Sequence, residues 1–561
     1  MSHEAPSPLN NPIMTPALAT TRHILRQHDK HLLPFLALLF LLNSLDRSNI
    51  GNAETAGFTR YAGLSPSDLN DSVTAFFVAF VALQPIGAAL GKRVGVGRWV
   101  GSVMVGWGAL TLLTAFVHTR AQLILLRVCI GALEAGFYPA TVFYLGLFYT
   151  RYEFAQRLGM FYGQYAVAGA FGGLVSYVVF SIFPTEEGKD GGGGDGNVWH
   201  SYQVLFVLEG LFTAFVAVVT LLWLPTGPAT AWWLSPAERT IAQKRVLADR
   251  LSDGAEEDAH YESDSSEDGE DEGSLGRSPT ALAPRSRSRS SLAAAATSHP
   301  LLSKPPRPNS AAAGGGEASL PRVDVFAAFT DPKIWILLFL NILSALPATA
   351  FSIFLPLILQ GLGHTPLASN ALSIPPFLLG AVTLWVVTYL SDRARKRIPY
   401  ILLGLSLNLV GLLLALLVPP DYLTARYLAL CILLSGSFIA SPLTVAWISG
   451  NIREPGKRAV ALGINGWGNL AGVIAGQLFS PSYAPAYTRP LAVTAGCVLV
   501  SMLGYIAFWG ALVRENKHRA NAAGRGDARV GRLRGALWKW TGGKGAFVPA
   551  GEERRDADYG Y

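Results

Sequence analysis

Five ionisable side chains stand inside stretches of sequence that are otherwise apolar: Asp46 and Arg47, then Arg127 and Glu134, then Glu209. A charge at that depth is costly unless it is paired or hydrated, so each is a functional candidate. Arginine presents a permanently charged fork that matches a carboxylate. A partly buried aspartate or glutamate can exchange a proton in the working pH range. Anion binding and proton coupling are therefore both within the chemistry of this set.

The spacing places these residues. Arg127, Gly131 and Glu134 fall at i, i+4 and i+7, which puts them on one helical face with the carboxylate roughly 10 Å further along the axis. If the first apolar run enters the membrane near Leu33, Asp46 lies roughly 20 Å in, while Arg127 lies about 9 Å below the opposite surface, so the two meet at similar depth. The face bearing Arg127 and Glu134 is expected to line a cavity. The plainer reading is that Asp46 and Arg47 cap a helix and that Arg127 and Glu134 form a structural pair. Glu209, in Val207-Leu208-Glu209-Gly210, suits a helix-to-helix hydrogen bond as well as a substrate role and is left outside the core set. Gln164, Tyr165, Asn341, Asn465 and Asn469 could complete a site, although each residue type more often joins helices.

The elements that must hold these groups follow from composition. Half of the 561 residues are hydrophobic and only 15% are charged, well below the roughly 25% of soluble domains. A hydrocarbon core about 30 Å thick needs about 20 apolar residues per helical span. Runs of that kind occupy 33–57, 72–94, 98–118, 121–148, 158–182 and 203–224, then 334–359, 370–391, 398–419, 424–448, 458–480 and 490–513. Open sheets are excluded in lipid because their edges cannot be satisfied. The expected fold is an all-α membrane protein with twelve transmembrane helices in two six-helix halves. The first run lacks a small-residue cleavage site and is read as helix 1 rather than a signal peptide. Cys129, Cys431 and Cys497 sit in apolar runs without metal-ligand spacing. The sequon Asn70-Asp71-Ser72 abuts helix 2 and is read as a chance match.

Among the short loops, one set carries twelve Lys and Arg residues and the alternate set five, so the richer side, with both termini, is placed in the cytosol. The organisation that results is a cytosolic tail over 1–32, a first half over 33–224, a central cytosolic loop over 225–322, a second half over 323–513 and a basic cytosolic tail over 514–561. The central loop, with its acidic serine-bearing stretch 256–272 and its run Arg285-Ser286-Arg287-Ser288-Arg289, cannot bury a core. Only its start is expected to be helical, with Ser235 as N-cap, Pro236 at the first position and Glu238 closing a capping box. The basic tail, with Trp538 and Trp540, suits an anionic leaflet rather than nucleic acid. Gly91-Lys92-Arg93 after helix 2 is echoed by Ser391-Asp392-Arg393 after helix 8, and Arg93, Asp392 and Arg393 are the expected gating residues. Paired halves of this kind place substrate between them near the midplane, with alternating access by rocking.

Leu45-Asp46-Arg47-Ser48-Asn49-Ile50-Gly51-Asn52-Ala53 resembles the helix 1 signature of the anion:cation symporter branch of the major facilitators, the fungal allantoate-permease-like group. The similarity continues through Arg127 to Pro139, Phe148 to Glu153, Arg157, Leu208-Glu209-Gly210, Asp331 to Trp335 and Asn465-Gly466-Trp467-Gly468-Asn469. Lys92 stands where many major facilitators place an aspartate, and helix 5 lacks the Gly-Pro pair of drug antiporters. The resemblance implies proton-coupled uptake of a small organic anion, relatives carrying allantoate, nicotinate, pantothenate or biotin. The resulting assignment has Arg47 and Arg127, with Gln164, Tyr165, Asn465 and Asn469, binding substrate, and Asp46 and Glu134 taking protons. No enzyme activity, cofactor or metal is expected; the driving force is a proton gradient. The expected partners are the anion, protons and the lipid bilayer, with the chain acting as a monomer in the plasma membrane. Two alternatives are a nutrient sensor that signals through the central loop, which removal of 253–320 would silence, and a metabolite exporter.

Overall fold

A computed structural model describes residues 14–150, 153, 157, 160–183, 199–248, 322–419, 421–452 and 454–540. Its first half contains α1 (Met14–Thr55), α2 (Pro66–Val94), α3 (Val96–Thr114), α4 (Arg120–Glu134, continuing after a break as Phe137–Phe148), α5 (Gln164–Ile182) and α6 (Ser201–Trp223). The second half contains α7 (Pro332–Gly361), α8 (Pro366–Ala394), α9 (Ile398–Leu417), α10 (Leu423–Ser437 and Ala440–Asn451), α11 (Pro455–Gly466 and Leu470–Leu478) and α12 (Thr488–Trp540). Among the described residues, eleven helices are long and apolar enough to cross a membrane. The twelfth, α1, misses that measure because Asn43, Asp46, Arg47, Asn49 and Asn52 crowd its C-terminal half. The acidic stretch 256–272 and the arginine run 285–289 lie outside the described residues.

Local chemistry sets the helix starts. Ser65 precedes Pro66, and its backbone N–H donates to Asp68 Oδ2 at 3.0 Å, so the opening donors of α2 find acceptors. At α7 and α8 the cap side chain itself accepts, Asp331 from the Lys333 N–H and Thr365 from the Ala368 N–H, each ahead of a proline at the first helical position. At the other ends two helices exceed the apolar runs. Helix α1 begins at Met14 rather than near Leu33, and α12 continues to Trp540 rather than stopping near Arg514, because polar residues end a membrane span without ending a helix.

The bundle is arranged for a lipid solvent. Leu222, Leu417, Phe215 and Leu125 point outward, whereas Asn43, Glu134, Asn370 and Asn408 are fully buried. Hydrophobicity cannot drive helices together in lipid, so close packing and polar contacts must. The glycines supply the closeness. Gly87 on α2 and Gly136 at the α4 break meet backbone to backbone, leaving no room for a Cβ on either. Gly169 and Gly173 on α5 seat Phe377 and the Asn370–Ser373 turn of α8, while Gly472 and Gly476 on α11 seat Phe77 and Thr74 of α2. The four-residue glycine repeats in the sequence thus lie at two of the seams between the halves.

At the end that carries the α1–α2 and α7–α8 connections, the halves are also joined by hydrogen bonds. Asn370 Nδ2 donates to Thr55 Oγ1 at 2.8 Å, Gln477 Nε2 to Thr74 Oγ1 at 2.9 Å, and Asn70 Nδ2 to the carbonyls of Gly476 and Phe479. Asn70, the asparagine of the sequon, is therefore buried and committed to a neighbouring helix. This end is sealed. Nearer the other end, an open cleft of about 360 Å³ lies between α1 and the start of α5, lined by Asp29, Leu33, Arg157, Phe161 and Gln164.

Candidate functional site

The site begins with a helical repeat on α1. Asn43 and Arg47 are one turn apart, and Arg47 Nη2 donates to Asn43 Oδ1 at 2.9 Å. Both then reach the same atom on α4: Arg47 Nε donates to Glu134 Oε2 at 2.8 Å and Asn43 Nδ2 donates to it at 2.9 Å. Glu134 is fully buried, and the break of α4 directly after it, where Gly136 crosses Gly87, fixes where its carboxylate arrives. The Arg47 guanidinium also lies over the Phe80 ring at 4.3 Å and near the Phe76 ring at 5.7 Å. Arginine held between a carboxylate and an aromatic face keeps its orientation while remaining partly open to the cavity.

Asp46, the next residue back, points to the other side of α1. It meets Thr111 Oγ1 of α3 at 3.4 Å, on the turn of α3 against which Gly210 of α6 packs, so Glu209 is its neighbour. Arg127 Nη1 donates to the Asp46 backbone carbonyl at 3.4 Å. The depth match read from the sequence therefore brings Asp46 and Arg127 together, and the expected shared face of α4 carries Arg127, Gly131 and Glu134 all buried. Arg127 and Glu134 nonetheless serve different groups: Glu134 turns to Arg47, Arg127 to the Asp46 side.

The remaining sequence candidates are dispersed. Tyr165 forms a hydroxyl pair with Ser352 of α7 at 3.1 Å and stands edge-on to Phe438 at 5.6 Å, so it bridges the halves. Gln164 lines the open cleft. Asn465 packs on α7, where Asn341 Nδ2 donates to its backbone carbonyl at 3.4 Å, and Asn469 donates back to the Gly466 carbonyl of its own turn at 2.9 Å. The Asn465 side-chain Oδ1 is buried without a donor among the described residues, while the Asn469 amide is held within its own turn. Arg93 and Arg393 are exposed, and Asp392 pairs with Arg397, closing the loop after α8 on itself.

Three features escaped the sequence reading. Asn43 is one, although its four-residue spacing from Arg47 was a usable signal. The neighbour of Glu209 is another: Glu209 was named as a candidate, but its meeting with Asp46, 163 positions away, comes only from the fold. The third is an aromatic wall: Tyr138 and Tyr162 share a hydrogen bond, Tyr162 reaches Ser441 of α10 and lies near Arg47, and Phe40 packs on Phe161 at 4.5 Å.

The Arg47 guanidinium, partly exposed and flanked by the Phe76 and Phe80 rings, is suited to a carboxylate or similar anion. The family model described as Major Facilitator Superfamily matches residues 36–476. An uncharacterized transporter of Schizosaccharomyces pombe is 28% identical over 507 residues, covering 90% of this chain and 86% of the relative. The high-affinity nicotinic acid transporter of Saccharomyces cerevisiae is 25% identical, covering 86% and 76%. Among solved structures, the xylose transporter XylE from E. coli in a partially occluded inward open conformation aligns with a TM-score of 0.54 at 11% identity, covering 85% and 96%. The likeness to XylE concerns the fold alone, but the extent of the family match and the paired halves agree, and the chain is a membrane transporter of the Major Facilitator Superfamily, not an enzyme.

Proposed function

We propose that this chain is a proton-coupled importer of a small organic anion, of the anion:cation symporter branch, working by alternating access. The observation that carries this reading is the 2.8 Å ion pair between Arg47 and Glu134. The arginine suited to a substrate carboxylate is held by a protein carboxylate, and a proton on Glu134 would neutralise that hold. Proton uptake would then free Arg47 for the incoming anion, so that neither binds productively without the other. Phe80, Tyr138 and Tyr162 would pack against the body of the substrate, and Tyr165 with Ser352 would close the halves over it. The nicotinic acid transporter among the relatives supports a carboxylate as cargo. Residence in the plasma membrane with both termini cytosolic belongs to the same proposal, supported by the loop charge count.

The test is uptake by purified protein in liposomes, with labelled nicotinate and a competing panel of small carboxylates. An inward proton gradient should drive accumulation in the native protein. In Glu134→Gln, exchange should persist while accumulation is lost. If that variant still concentrated substrate against a gradient, Glu134 would not be the coupling group.

A further inference from the structure

The charges around α1 do not balance as drawn. Two guanidiniums, Arg47 and Arg127, face three carboxyls, Asp46, Glu134 and Glu209, and all except Arg47 are nearly or wholly buried. Arg47 is matched to Glu134. What remains is one arginine, Arg127, against two acids.

Those two acids are short of donors. Asp46 Oδ1 has the 3.4 Å contact from Thr111, and Asp46 Oδ2 and both oxygens of Glu209 find no donor at full hydrogen-bond geometry among the described residues, the Asn49 amide of α1 being the donor that faces Glu209. Arg127 Nε likewise finds no acceptor. Asp46 is 3% exposed and Glu209 6%, so both are withdrawn from bulk solvent. Yet the two carboxyls converge on one turn of α3: Thr111 meets Asp46 at 3.4 Å, and Gly210, beside Glu209, packs against the backbone of Gly108 and Leu112. Two ionised carboxylates in that position repel strongly, and such pairs retain one proton between them. One proton turns the acceptor–acceptor contact into an O–H···O bond and brings the whole group to neutrality.

We propose that Asp46 and Glu209 share a single proton, making Glu209 a third acid of the site and the pair a proton store distinct from Glu134. The groups that face the pair are Asn49 on α1, Thr111 on α3, and Arg127 and Glu134 on α4. Asp46 and Arg47 are adjacent on α1, so a change of charge at the pair is delivered to the helix that carries the substrate arginine. This role in coupling rests on the symport reading above, whereas the shared proton does not.

The experiment is infrared difference spectroscopy on purified, substrate-free protein in nanodiscs at neutral pH, reading the C=O stretch of protonated carboxyl groups. The native protein and Glu134→Gln should show the band, and Glu209→Gln and Asp46→Asn should each lose one carboxyl's worth of it. A native protein without the band, or a band at full intensity in both of the latter variants, overturns the proposal. Should Glu209→Gln fail to fold, Asp46→Asn decides alone: loss supports the shared proton and persistence overturns it. Uptake measured alongside separates the two readings. Loss of the band in these variants, in a protein whose native form shows no proton-driven uptake, retires symport and still supports the shared proton.

Discussion

Arg47 on α1 and Glu134 on α4 are joined at 2.8 Å across 87 positions of sequence, with Asn43 donating to the same carboxylate oxygen. A buried ion pair adds little net stability, but removing one partner strands the other. Arg47→Met should therefore cost roughly 3–5 kcal/mol of stability. Arg47→Lys should instead fold and lose anion affinity, about tenfold or more, because the fork and its stacking on Phe80 go together. Thermal melts in detergent and substrate competition on the same preparations separate the two effects; equal affinity in the lysine variant would remove Arg47 from the binding role.

The α2–α4 crossing depends on two glycines. A Cβ at Gly87 would stand 2.5 Å from Gly136 Cα, and one at Gly136 would stand 2.7 Å from Gly87 Cα. Both contacts are with backbone, which cannot swing away. Gly136→Val should lower the melting temperature, with an overpacking cost of about 1–3 kcal/mol, and should disturb proton coupling because Glu134 is two residues away. A Cβ added at Gly146 would meet nothing within 4 Å, which offers the control: Gly146→Ala should leave both unchanged.

Asn70 caps the free carbonyls of Gly476 and Phe479 at the end of α11, from the opposite half. Rocking open at this end must break both bonds. Asn70→Ala should shift the population toward the state open there by about 1–2 kcal/mol. Spin labels at positions 67 and 364 would report it as a longer distance distribution. An unchanged distribution would mean that the cap does not set the equilibrium.

Outside the membrane spans, His28 of α1 is clamped by the segment that follows α6. Trp233 Nε1 donates to His28 Nδ1 at 3.0 Å, so the ring must be unprotonated at that nitrogen, and Arg245, anchored on Glu153 at 2.8 Å, stands nearby. Burial, and then Arg245, bring the His28 pKa from 6.5 down to about 4. On acidification the unfolded chain takes the proton first. The native state is thus unpenalised above about pH 6.5, loses stability as the pH falls from there to about 4, and loses no more below, roughly 3 kcal/mol in all. His28→Asn keeps an acceptor without the titration. Its melting temperature should fall less steeply than the native protein's over that interval, and parallel curves would refute the clamp.

The sequence by itself determined the membrane class, the pairing of halves and the identity of the charged residues on helices 1 and 4. These follow from rules that act within one segment: an apolar length set by bilayer thickness, and the helical repeat that aligns Arg127, Gly131 and Glu134. The capping box at Ser235 and Glu238 was legible for the same reason, and it forms, with the Ser235 N–H donating to Glu238 Oε2 at 2.9 Å. Partnership was decided only by the tertiary structure. Whether Arg47 meets Glu134, whether Asp46 meets Glu209, and whether Tyr165 meets Ser352 depend on the rotation of each helix about its axis. In lipid that rotation is set by glycine crossings and polar contacts with other helices rather than by any apolar stripe facing a core. A helix that is hydrophobic all round carries no mark in its own sequence of which side its neighbour will occupy.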